Sequence, residues 1–333
     1  MIEATIPICF SKKDCQVGLF HADLSTKYFD SKYQFIVSIK PINKSFVFST
    51  DHEVTANLLS RVWNLTPTSE LSEYPRLIVG YKEGYYGRYI DLVQRCQLVS
   101  NSNYYMPFTI VKQALRWEYA CQCNGTSFLP IHGVIIKLCG KYICFSGYGK
   151  AGKSYMADLI LQEYPESVVV VDDWSLLDIK TKVIYRVGDT YLHARGSALD
   201  KKSFQLNDSA AELVELCAND IWSEETRFLI KRSELPFFHH EEEELRLDAI
   251  VFIRDPFAEQ VLISTTADEI EAILKSESQH FWDDSNLGLP DETLKEMSEK
   301  WHYLLLSLKA FILDGHRRAN LSFIVKRLVK LMQ

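Results

Sequence analysis

One stretch limits what this chain can fold into more than any other: Ile143 to Tyr164, ICFSGYGKAGKSYMADLILQEY. Gly147 is followed by four residues and then by Gly152, Lys153 and Ser154, the G-x-x-x-x-G-K-[ST] spacing of a phosphate-binding loop. The flanks agree with it. Tyr142–Phe145 is a short apolar run that predicts a buried strand. Met156, Leu159 and Ile160 recur at helical spacing, and Pro165 stops the helix. Gly147, Gly149 and Gly152 permit backbone angles that a Cβ forbids, so successive N–H groups can point inward around an anion. The loop ends at a helix start, where backbone N–H groups and the helix dipole favour negative charge. Lys153 is expected to reach the β and γ phosphates, and the Ser154 hydroxyl to hold the accompanying Mg²⁺. The expected nucleotide-binding set is Gly147, Gly149, Lys150, Ala151, Gly152, Lys153, Ser154 and Tyr155.

Downstream, Val168–Val171 is four valines in a row, followed by Asp172 and Asp173. A continuous β-branched run predicts a strand buried on both faces. Two carboxylates at its carboxyl end lie where an open α/β sheet places its ligand crevice. Adjacent aspartates can divide the work: one holds Mg²⁺, and the other accepts a proton from an attacking hydroxyl.

The rest of the chain frames this core. Residues 1–105 read as a β-rich accessory or substrate-recognition domain, and 106–333 as the domain that carries the loop. Short strands are predicted at Ala4–Phe10, Tyr33–Ile39, Phe46–Phe48 and Leu77–Tyr81, with a helix at Val54–Val62. Tyr85, Tyr86 and Tyr89 cluster near two glycines and read as local packing. Phe108–Cys121 is amphipathic, and Asn124-Gly125 closes it. Ile131–Leu138 and Tyr142–Phe145 flank Cys139-Gly140-Lys141 as a hairpin whose second strand feeds the loop. Strands follow at Ser175–Ile179, Val183–Val187, Tyr191–Ala194 and Leu247–Ile253. Helices are expected at Ala210–Asn219, Ala267–Lys275, Asp291–Leu313 and Asn320–Met332. Arg195 could clamp a phosphate or carboxylate with its forked donors. The acidic run Glu241–Glu244 reads as a solvated face.

Composition narrows the partners. A net charge of −7 argues against a broad nucleic-acid surface. The eight cysteines show no CxxC and no zinc-finger spacing, so they read as thiols of a reducing compartment. The opening MIEATIPICFSKKD lacks a basic n-region and a long apolar run, and no stretch reaches the length of a membrane span. The expected location is the cytoplasm.

From Leu129 to Gly196 the chain resembles the catalytic domain of HPr kinase/phosphorylase and its HPr-kinase-like relatives. Four pieces carry the resemblance, in order: His132-Gly133 one hairpin strand before the loop, the loop Gly147–Ser154, the Asp172-Asp173 pair, and Arg195-Gly196 at the end of a later strand. The resemblance implies an α/β (α+β) fold, a phosphoenolpyruvate-carboxykinase-like nucleotide-binding domain with a mixed sheet and C-terminal helices. It also implies a Mg²⁺-dependent kinase that moves the γ-phosphoryl of ATP to a hydroxyl. His132 and Asp172 would then sit near the transferred group, with Asp172 as base. Asp173 and Ser154 would serve the metal, and Lys153 the phosphates. His193 departs from the pattern, standing where bacterial HPr kinases carry a glutamate two residues before the Arg-Gly. The later signature associated with their phosphorylase activity is missing. The match therefore points to the divergent relatives, some of which phosphorylate free serine or a serine at a peptide's end. Related enzymes can be homo-oligomers. The alternative from the same residues is a nucleotide-binding regulator with slow or no phosphoryl transfer.

Overall fold

The computed structural model describes residues 32–51, 53–63, 65–68, 76–80, 87–91, 96–100, 107–147, 151–187, 191–195, 211–215, 227–231, 244–254, 258, 263–264, 266, 268–269, 289–315 and 321–332. The expectations at 4–10, Tyr85, Tyr86, Gly149, Lys150, Gly196 and 241–243, and at most of 267–275, lie outside the described residues. The chain divides into two compact units. The first holds residues 1–122, 188–231 and 285–289, and the second holds 123–187, 232–284 and 290–333.

The first unit is built on a five-stranded mixed sheet in the order β1-β2-β3-β5-β4. Its strands are β1 (Tyr33–Ile39), β2 (Lys44–Thr50), β3 (Arg76–Gly80), β4 (Gly87–Asp91) and β5 (Cys96–Ser100). Strands β1 and β2 form an antiparallel hairpin whose turn closes on Asn43 in the left-handed region. Helices α1 (Glu53–Val62) and α2 (Pro107–Gln122) belong to this unit. Phe46 is fully buried and meets the Tyr119 ring edge-on at 6.0 Å. Lys44 Nζ donates to the Gln122 carbonyl at the end of α2 (2.5 Å), which supplies a cation at a helix C-terminus. A separate antiparallel sheet in this unit has the order β11-β13-β12: β11 (Tyr191–Arg195), β12 (Ala211–Glu215) and β13 (Arg227–Lys231).

The second unit is an eight-stranded mixed sheet in the order β10-β9-β6-β7-β14-β16-β15, with β8 also on β6. Its strands are β6 (Phe128–Leu138), β7 (Lys141–Gly147), β8 (Val168–Val171), β9 (Trp174–Asp178), β10 (Ile184–Arg186), β14 (Leu247–Ile253), β15 (Ile263–Ser264) and β16 (Lys309–Leu313). Its helices are α3 (Lys153–Glu163), α4 (Asp291–Ser307) and α5 (Leu321–Met332). The β6–β7 hairpin turns on Cys139 (φ 49°) and Gly140 (φ 76°), the two positive φ values that a tight type I′ turn requires. Strands β7, β14 and β16 are parallel neighbours, and apart from Ser146 and Gly147 their buried residues are apolar. That is the pattern of strands covered on both faces. A buried lysine ties α4 to the sheet: Lys300 Nζ donates to the carbonyls of Cys123 (2.8 Å) and Phe128 (3.0 Å) and pairs with Glu296. A buried ammonium is tolerable only with such partners.

The mixed α/β content with a mixed sheet agrees with the expected α+β class. Two elements correct the sequence reading. Ala210–Asn219 was expected to be a helix, but Ala211–Glu215 is strand β12, paired antiparallel with β13. Its alanine, glutamate and leucine favour a helix locally, and cross-strand pairing overrides that preference. Asp291–Leu313 was expected to be one helix, but α4 ends at Ser307 and Lys309–Leu313 is strand β16. Ser307 Oγ donates back to the Leu304 carbonyl (3.0 Å), and Leu308 is extended, so the chain leaves the helix there. No helix among the described residues is long and apolar enough to cross a membrane.

Candidate functional site

The loop begins where β7 ends. Gly147 lies beside Ile253 of β14 in the parallel ladder. A Cβ on Gly147 would sit 2.3 Å from the Ile253 carbonyl oxygen and 3.4 Å from the Ala151 Cβ. Glycine is thus required by close backbone approach, besides its positive φ. At the far end of the loop Gly152 is the N-cap of α3, in the left-handed region (φ 105°) and with no side-chain cap. The first N–H groups of any helix have no acceptor within it, so this end suits an anion. Ala151 and Lys153 are buried, and Ser154 and Tyr155 are exposed on the first turn. Lys153 Nζ folds back onto the Gly147 carbonyl (2.8 Å) and so bridges the two ends of the loop. Burial pushes the neighbouring Cys144 thiol up to about 12 against the pull of the Lys153 charge. The thiol stays neutral, so it leaves the ammonium's charge to other partners.

The aspartate pair is not a plain strand end. Strands β8 and β9 both run antiparallel along β6, Val171 opposite Ile135 and Trp174 opposite His132. Between them, Asp173 N donates to the Gly133 carbonyl (3.1 Å) and Gly133 N donates to the Asp173 carbonyl (3.0 Å). The register is unbroken across the aspartates. Asp172 and Asp173 are therefore a kink within one long partner of β6, and the only irregularity lies further back, at Ile135–Ile136. Asp173 takes φ 86°, which costs a non-glycine residue about 1 kcal/mol. Regular alternation would send the His132 and Asp173 side chains to opposite faces. The left-handed backbone instead turns the Asp173 carboxylate to His132, whose Nε2 lies 3.1 Å from Oδ1. Asp172 is buried.

Register ties these pieces to the loop. Asp173 is level with Gly133, Gly133 with Ser146, and Ser146 with Phe252 of β14. Two strand spacings place the Asp173 backbone roughly 10 Å from the start of the loop. Ser146 Oγ donates to the His132 carbonyl (2.8 Å) and pins β6 to β7 at this level. Gly133 lets the strands close: a Cβ there would meet Cys144 Sγ at 2.7 Å and the Phe145 carbonyl oxygen at 2.8 Å.

The second unit thus brings together Gly147, Ala151, Gly152, Lys153, Ser154 and Tyr155 with His132, Asp172 and Asp173 on adjoining strands of one sheet. Arg195 ends β11, which belongs to the first unit. Gly149 and Lys150 lie outside the described residues. Sequence reasoning did not nominate Ser146, Arg254 or Asp314. Arg254 follows β14, the neighbour of the loop strand, and Asp314 follows β16, the next strand beyond β14, and their side chains pair. A charge directly after an apolar run was the available signal. It was visible at Ile253-Arg254 and lost at Leu313-Asp314, because β16 was read as helix.

Across the whole chain, no protein-family model matches and no curated protein matches.

Proposed function

We propose that this protein is a Mg²⁺-dependent kinase of the HPr-kinase-like type, with a phosphoenolpyruvate-carboxykinase-like nucleotide-binding fold in its second unit. It transfers the γ-phosphoryl of ATP to a serine-type hydroxyl on a small molecule, a peptide or a protein. The reading is carried by one observation: the glycine-bounded loop ending in Lys153 opens level with the His132–Asp173 pair, within a single sheet.

In this reading the loop amides and Lys153 hold the polyphosphate. Asp172 takes the proton of the acceptor hydroxyl as its oxygen bonds to the γ-phosphorus, the bond to the β–γ bridging oxygen breaks, and ADP departs. Positioning and charge neutralisation supply most of the rate in such a reaction. The donors fit Mg²⁺: Ser154 offers a hydroxyl and Asp173 a carboxylate, hard oxygens of the type it prefers. Ser154 and Asp173 would hold it together with the phosphates of the nucleotide. When bound, it neutralises phosphate charge. His132 holds Asp173 in its kinked conformation.

The test is incubation with γ-labelled ATP, Mg²⁺ and a panel of serine-bearing acceptors, read by mass spectrometry. The wild-type chain labels at least one acceptor, and Asp172→Asn lowers the transfer rate by about 100-fold or more while ATP still binds. Equal transfer by both proteins contradicts the role of Asp172. ATP binding without any labelled acceptor supports the regulator instead.

A further inference from the structure

Arg254 and Asp314 form a two-pronged pair at the carboxyl ends of β14 and β16. Arg254 Nε donates to Asp314 Oδ1 (3.1 Å), and an Nη of the same guanidinium contacts Oδ2. The exposures are unequal: 5% of the Asp314 side-chain surface is exposed against 42% for Arg254. The carboxylate is the buried anchor, and the guanidinium is the group presented outward. Its backbone is fixed as well, since Arg254 N donates to the Leu313 carbonyl (3.1 Å). The preceding residue, Ile253, is the one whose carbonyl lies against Gly147. Arg254 therefore stands one residue beyond the tightest contact of the phosphate loop. An apolar pair would join two strand ends as stably as a buried ion pair. What the ion pair adds is orientation, a planar fork held in one plane.

The flanks of β7 decide what that plane faces. His132, Asp172 and Asp173 lie on the β6 flank, and Arg254 and Asp314 lie on the opposite, β14–β16 flank. A nucleoside triphosphate has two ends, and the loop holds its middle. If the terminal phosphate faces the His132–Asp173 side, the ribose and base leave on the other. The geometry points to Arg254 as the contact for the nucleoside end of the nucleotide: its guanidinium, set by Asp314, stacks on the purine ring. Arg254 is the ligand-touching group and Asp314 its positioning residue. This inference rests on the kinase reading above and assigns the base contact that the loop itself does not provide.

Two probes separate it from the alternatives, MgATP and magnesium tripolyphosphate, the second lacking a nucleoside. Both are titrated calorimetrically into the full chain and its variants. Arg254→Ala weakens MgATP by about tenfold, the loss of one stacking contact, and leaves tripolyphosphate affinity unchanged. Arg254→Lys, which keeps the charge and loses the plane, behaves like Arg254→Ala. Asp314→Asn gives a smaller loss for MgATP alone. The double variant Arg254→Ala/Asp314→Asn leaves no buried unpaired carboxylate and decides the matter if the single alanine variant does not fold. Equal losses for both probes place Arg254 on the phosphates and overturn the inference, as does an unchanged MgATP affinity. A wild-type chain that binds neither probe, or a Lys153→Ala chain that binds both normally, sinks the kinase reading itself.

Discussion

Lys153→Ala is expected to weaken MgATP binding by about 100-fold, the worth of a charge-assisted contact to phosphate in a buried site. The mutated position explains the size of the effect. Lys153 is buried at the first residue of α3, and its ammonium lies 2.8 Å from the Gly147 carbonyl across the loop. The buried Cys144 thiol close by stays neutral, with its pKa raised to about 12. An arriving polyphosphate competes with the Gly147 carbonyl for the ammonium, and the neutral thiol adds no anion of its own. Alanine is the best helix former, so α3 survives the change. Calorimetric titration checks this, with circular dichroism to show the fold retained. Loss of less than about threefold would mean that the ammonium does not meet the ligand.

Gly147→Ala is expected to damage both fold and site. The added Cβ would lie 2.3 Å from the Ile253 carbonyl oxygen. That oxygen cannot yield, because Ile253 is held in the ladder between Gly147 and Leu313. Overpacking of this kind costs typically 1–3 kcal/mol, and a backbone-to-backbone clash belongs at or above the top of that range, about 3 kcal/mol. For a unit of this size the melting temperature falls by roughly 6–12 °C. Nucleotide binding falls further than stability does, since the shift is at the loop's first residue. Thermal denaturation followed by MgATP titration of the folded fraction measures both. A variant as stable as the wild type, with full affinity, would show that the close approach of β7 and β14 is not maintained in solution.

The parts of this site that were legible in the sequence are those fixed by local chemistry. The loop announces itself through glycine spacing, and Val168–Val171 reads as a strand because four β-branched residues favour nothing else. Tyr33–Ile39 and Leu247–Ile253 were legible for the same reason, and the structure has them as β1 and β14 with those bounds. Illegible were the features set by a partner strand. Nothing in Asp172-Asp173 says that the chain continues along the same neighbour on both sides of the pair. That depends on β6 being eleven residues long, enough to pair with β8 and β9 in turn. The tight fit of Gly133 against Cys144 and Phe145 likewise exists only once β6 and β7 are paired. The errors have the same origin. Ala-Glu-Leu-Val-Glu at 211–215 favours a helix until β13 lies beside it, and Lys309–Leu313 follows seventeen helical residues with no glycine or proline to mark the change. Missing β16 hid Asp314, and with it the Arg254 pair.

The most direct measurement is a crystal structure of the wild-type chain with Mg²⁺ and a non-hydrolysable ATP analogue. The account predicts phosphate density enclosed by the backbone from Gly147 to Lys153, with the Lys153 ammonium drawn off the Gly147 carbonyl onto a phosphate oxygen. Nucleotide bound elsewhere, or a loop that stays closed on its own lysine at saturating ligand, would contradict it.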